Sequence, residues 1–193
     1  MDSIIHEQRQ TFYQQRDALV EQKVEITDLV SDYMKRVLNI KVGKYCPRKR
    51  IPEEWDLSRL CSDLHLETAE RANLQKLSEN EDVLNYITQW WKERYAQYLT
   101  AQKDPIVWSN RWRLQIIRIL DQFWQEHLEH VEQIKQGFHY QSYAQRDPIL
   151  AYETATWQQF GEMSCQIEMS ISQALIREVT EVSNQSELLR QTS

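Results

Sequence analysis

Glycine and proline are nearly missing from this chain, with three glycines and four prolines in 193 residues. That is too little punctuation for a succession of short strands or for a nucleotide-binding sheet with its glycine turns. Cysteine is as sparse. Cys46, Cys61 and Cys165 are odd in number and far apart, with no Cys-x-x-Cys pair, which excludes a zinc knuckle or a disulfide framework and fits a reducing compartment. No run approaches the eighteen or so consecutive apolar residues of a membrane-spanning helix. The opening segment, MDSIIHEQRQTF, lacks a basic stretch followed by an apolar core, so no secretory leader is expected. A Gly-x-x-x-x-Gly-Lys-Ser/Thr loop is absent as well, so no phosphate cradle and no ATPase chemistry are expected from these residues. With a net charge of −6, the chain offers no overall electrostatic footprint for nucleic acid.

What is present is helix-forming. Gln, Glu, Arg, Leu and Ala are abundant, and 41% apolar content with seven Trp and nine Tyr is enough to build a core. The expected class is all-α. Ile5, Phe12, Leu19, Ile26, Tyr33 and Ile40 recur every seven residues, which predicts one long helix over residues 3–40, about 57 Å at 1.5 Å per residue. Gly43 and Pro47 should end it. A basic connector follows, in which Lys41, Lys44, Arg48, Lys49 and Arg50 crowd together. One reading is a solvated linker; the other is a patch for anionic lipid or an acidic partner.

Residues 46–106 read as a small helical insertion, with a helix start at Asp56, a polar break at Ser78–Glu81, and an aromatic helix bearing Tyr86, Trp90, Trp91, Tyr95 and Tyr98, of which the last four read as core and contact surface in preference to a peptide-binding groove. From Val107, apolar residues at three/four spacing (Trp112, Ile116, Leu120, Trp124, Val131, Ile134) define a second long helix that Gly137 should interrupt. Pro148, at a first-turn position, opens a third through Phe160, Met163, Ile167, Ile171 and Val179. The pair reads as an antiparallel hairpin. The domain reading is 1–45 with 107–182 as one body, 46–106 as another, and 183–193 as a frayed tail. His127 and His130 share a helix face, but the following helix offers no matching Glu/His pair, so His127 is read as a core-edge histidine hydrogen-bonded inside the hairpin, with no metal and no cofactor expected.

Three stretches carry a family likeness. Glu7-Gln8-Arg9 through Tyr13-Gln14-Gln15-Arg16, Pro52-Glu53-Glu54-Trp55-Asp56-Leu57, and Asp121-Gln122-Phe123-Trp124-Gln125-Glu126-His127-Leu128 followed by Tyr143-Ala144-Gln145-Arg146-Asp147-Pro148 resemble the helical scaffold, helical wing and two-helix finger of the SecA preprotein translocase family. The resemblance implies a scaffold helix that braces motor domains and a finger that reaches into a SecY-type channel to touch the passing preprotein. It also implies a cytoplasmic location, peripheral to the inner or thylakoid membrane. The fingertip carries over onto Tyr143, flanked by Tyr140, Gln141, Gln145 and Arg146. Family members carry Leu-Arg-Gly just before the tip tyrosine; Tyr140-Gln141-Ser142 here removes a cation from the tip. The expected role is a non-catalytic export component, with motor domains acting in trans. A piece of a complete ATP-driven translocase, or an adaptor that reuses the scaffold for another partner, are the competing readings.

Overall fold

Why the chain becomes helical is visible in its caps. Asp56 accepts the backbone N–H of Arg59 at 3.1 Å, and Asp104 accepts those of Ile106 and Val107 at 2.8 and 3.2 Å just before Pro105. The structure, a computed structural model, describes residues 2–141 and 148–191, with side chains placed for 3–137 and 149–182. Among these residues the elements are α1 (Asp2–Val20), α2 (Ile26–Tyr45), a 3-10 turn at Pro52–Glu54, α3 (Leu57–Leu64), α4 (Thr68–Leu74), α5 (Asn80–Thr100), α6 (Pro105–Gln141) and α7 (Pro148–Gln191). No strand occurs among them, and the class is all-α as the composition requires.

The single long N-terminal helix predicted from the seven-residue repeat is two helices. Gln22 sits in the left-handed region at φ 57°. Its N–H reaches Leu19 O at 3.1 Å, and the N–H of Lys23 reaches Ala18 O at 2.9 Å, the paired closure of a Schellman cap. Arg113 of α6 donates to Leu19 O at 3.0 Å and Val24 O at 3.4 Å, holding the turn from outside. The buried stripe changes accordingly. It runs Ile4, Gln8, Phe12, Leu19 in α1, then Ile26, Val30, Met34, Val37, Leu38, Lys41, Val42, Tyr45 in α2, while Ile40 of the expected seam is exposed. The cap predicts the sign of one substitution. A non-glycine residue in the left-handed region is strained, so Gln22→Gly should stabilise the chain by about 0.5–1 kcal/mol in chemical denaturation. In one continuous helix the same change would cost about as much.

Two other expectations shift. Gly137 lies inside α6, because its φ is not positive and a lone helical glycine costs only about 1 kcal/mol, too little to end a helix without a left-handed cap. Helix α7 opens at Pro148 as expected but continues past Val182 to Gln191.

The chain groups into two compact units, Met1–Leu29 with Ser109–Ser170, and Val30–Trp108 with Ile171–Ser193. These borders differ from those read along the sequence: most of α2 and the end of α7 group with the middle segment.

In the first unit α1 lies antiparallel to α6. Leu19 meets Arg113, Arg16 meets Asp121, Phe12 meets Trp124 and Gln8 meets His127, so contacts descend one helix as they ascend the other. Helices α6 and α7 are separated by only residues 142–147, and His127 meets Phe160, as an antiparallel hairpin requires. Trp112, Ile116, Leu120 and Trp124 of α6 with Tyr152, Met163 and Ile167 of α7 supply the core. In the second unit the core comes from α2 with Leu60 and Leu64, Leu74, and the stripe Val83, Ile87, Trp91, Tyr95 and Tyr98 of α5, joined by Ile171, Leu175, Ile176 and Val179.

Candidate partner-binding surfaces

The hairpin is held by one buried polar node. Gln8 of α1, His127 of α6 and Thr156 of α7 are all essentially without solvent exposure. Gln8 Nε2 donates to the backbone carbonyl of Thr156 at 3.1 Å, and Gln8 Oε1 faces His127 Nε2 at 2.9 Å. Since a carbonyl can only accept, the amide nitrogen must face Thr156, and its oxygen must therefore receive a proton from His127. That places a proton on Nε2. Burial, aided by the neighbouring His130, pushes the His127 pKa down to about 4. One side chain of α1 thus ties both arms of the hairpin at the same level. Around it Phe12 stacks on Trp124, with centroids 4.6 Å apart and planes at 13°, and Arg16 forms a two-pronged pair with Asp121 at 2.6 and 3.0 Å. His127 is hydrogen-bonded as expected from the sequence, but it is fully buried and not at the edge of the core. Its partner, however, is on α1 and not within the hairpin.

The fingertip expectations fall at the edge of what the structure describes. Tyr140 and Gln141 close α6, while Tyr143, Gln145 and Arg146 lie outside the described residues. The frame that would carry such a tip is described: thirty-seven residues of α6 and the start of α7 at Pro148.

The basic connector separates into two parts. Lys41 is buried and turned inward, its Nζ 3.0 Å from Asp63, which also accepts from Tyr45 Oη at 2.7 Å. The two hydrogen bonds and the Lys41 charge outweigh burial and hold the Asp63 carboxyl below its ordinary pKa. This arrangement fastens α2 to α3. Lys44, Arg48, Lys49 and Arg50 remain exposed. Lys44 lies over the Tyr45 ring at 4.9 Å, and Arg48 and Arg50 line a shallow groove with Trp55, Ser78, Glu79 and the first two residues of α5, Asn80 and Glu81. Glu79 and Glu81 in that groove partly offset the cations.

A second polar junction, not read from the sequence, joins α5, α6 and α7 in the other unit. Trp108 Nε1 donates to Tyr98 Oη at 2.7 Å, and Tyr98 Oη donates to Glu178. Glu178 was beyond reach of sequence reasoning because its partner stands far away in the chain. Gln8 left a signal: it falls in line with Ile4 and Phe12 at four-residue spacing, a polar residue within an otherwise apolar stripe. Among the described residues no cluster of three or more His, Cys, Asp or Glu could hold a metal ion, and no helix is long and apolar enough to cross a membrane.

The fold and this node define a class: an all-α scaffold in which a separate helix braces a long helical hairpin. The chain belongs to the SecA Wing and Scaffold domain family, which it matches over residues 1–178. It is similar to the protein translocase subunit SecA of Aromatoleum aromaticum, 27% identical over 181 residues that cover 91% of this chain and 20% of that protein. It is likewise similar to the protein translocase subunits SecA of Nitrosomonas europaea (25% identical, 100% of this chain, 22% of that one) and Thermotoga maritima (28%, 97% and 21%). The chain thus spans about a fifth of the length of these curated relatives.

Proposed function

We propose that this chain serves protein export as the scaffold and finger of a SecA-type translocase. In this reading the α6–α7 hairpin presents Tyr143, with Tyr140, Gln141, Gln145 and Arg146, to a SecY-type channel and the preprotein within it. Motor domains supply ATP hydrolysis in trans, and the chain itself hydrolyses none. The observation that carries the reading is the Gln8–His127–Thr156 node, which ties α1 to both arms of the hairpin. A hairpin so braced can transmit a displacement made at one end to the other, whereas an unbraced pair would bend.

The remaining cations, Lys44, Arg48, Lys49 and Arg50, suit a peripheral contact with anionic headgroups, each contributing roughly 1 kcal/mol near such a surface. Lys41 contributes nothing there, since Asp63 holds it. The location that follows is the cytoplasmic face of the membrane that houses the channel.

The reading demands that the tip be used for contact and not for folding. Tyr143→Ala should change stability by less than about 0.5 kcal/mol, as for a surface substitution away from special features, and still impair preprotein translocation in a reconstituted system. Matching thermal melts alongside a clear loss of translocated substrate is the expected pair of results. Unfolding on substitution would instead make Tyr143 part of the core.

A further inference from the structure

Within the second unit, α2 and α5 leave a groove of about 320 Å3 between them. Along α5 it is lined by Thr88, Trp91, Lys92, Tyr95, Ala96 and Leu99, a stripe at three/four spacing about 16 Å long at 1.5 Å per residue. Along α2 it is lined by Ser31, Lys35 and Leu38. Trp91, Tyr95 and Leu38 are buried and form the floor; Ala96 is exposed, and its short side chain leaves the space above them unfilled. Among the described residues the charged side chains lining the groove are Lys35 and Lys92, and none in the lining is acidic.

We propose that this groove docks a short helical segment of a partner protein, one that carries leucine-like side chains one and two turns apart flanked by Asp or Glu. The shape selects the helix. A groove two to three turns long, lined by side chains of two helices, matches apolar anchors at i, i+4 and i+7, which span about 10 Å. The charge selects the flanks: lysines with no acidic counterpart in the lining favour carboxylates on the ligand and disfavour a basic segment. Lys35 also reaches Asp32 at 2.8 Å, but that pair is solvent-exposed, and an exposed pair yields to a better-placed carboxylate at little cost. The groove lies within the second unit, and its occupancy does not depend on the fingertip reading.

The test uses the full chain and a fluorescein-labelled, helix-forming peptide with Leu at positions 4, 8 and 11 of fourteen and Glu on its flanks, followed by fluorescence anisotropy. We expect saturable binding that weakens at least tenfold when the flanking Glu are replaced by Lys, and again when Lys35 and Lys92 are both changed to Glu. Ala96→Trp, which fills the groove from an exposed helical position, should abolish binding while leaving the far-ultraviolet circular dichroism unchanged. Should that variant not fold, Ala96→Met serves in its place, with a partial loss expected. Three outcomes would overturn the proposal: no binding, binding indifferent to peptide charge, or full binding by a folded Ala96 variant. Oleate or anionic vesicles engaging the groove where the peptide does not would assign it to an acyl chain, and equally overturn it.

Discussion

Replacing Gln8 with alanine should lower the thermal midpoint of the chain by about 5–15 °C, since a chain of this size loses roughly 2–4 °C per kcal/mol. The change removes both bonds of a fully buried amide and strands the Nε2–H of His127 between helices. A buried donor left without its acceptor costs about 1–3 kcal/mol, and the cavity adds to that. Gln8→Met separates the two contributions, because it restores the volume without the hydrogen bonds. It should recover only the cavity part and remain clearly below the parent. Equal melting of Gln8→Met and the parent would mean that the node contributes packing alone and that the polar tie does not brace the hairpin.

The same node makes the chain sensitive to acid. His127 titrates at about 4 in the folded chain against an ordinary value near 6.5, because burial penalises the charged ring and His130 nearby adds to that. The unfolded chain therefore binds this proton first. The stability associated with the neutral ring is fully present above about pH 6.5 and is lost as pH falls towards 4. The size of the loss is about 2–4 kcal/mol across that window, at 1.36 kcal/mol for each unit of separation. His127→Gln keeps an amide donor for Gln8 Oε1 and cannot titrate. Urea unfolding between pH 7 and 4 should therefore show the parent falling more steeply than the variant, and the difference curve isolates His127 from the carboxylates. Parallel curves would place the ring in solvent.

How much of this could be read in advance depended on whether local chemistry matched tertiary environment. The Asp56 helix start, the Pro148 first turn and the buried aromatics of α5 were legible because each rests on a local rule or an unambiguous stripe. The division of the first helix was not. Residues 21–25 contain neither glycine nor proline, and the seven-residue spacing of Phe12, Leu19 and Ile26 continues across the break undisturbed. What ends α1 is Gln22 in a glycine-like conformation, held by Arg113 some ninety positions later, and no local pattern records that. Gly137 misled in the opposite direction, because a helix tolerates a glycine that need not turn left. Composition alone groups Lys41 with the neighbouring cations. Its place one turn from Val37 and Leu38, on the buried face of α2, would have set it apart. Of the candidate site, the hairpin was legible and the Gln8 tie only faintly so, as a polar residue in an apolar stripe. Tyr143, Gln145 and Arg146 lie outside the described residues and rest on the family likeness.

The central claim is that the braced hairpin presents its tip to a polypeptide in transit. The most direct measurement places a benzophenone amino acid at position 143 in proteoliposomes that contain a SecY-type channel, a stalled preprotein and motor domains supplied in trans. Irradiation should yield adducts with the preprotein or the channel that require ATP and vanish when the preprotein is omitted or released. A folded, node-intact protein that cross-links to neither under the same conditions would contradict the account and favour an adaptor that uses this scaffold for another partner.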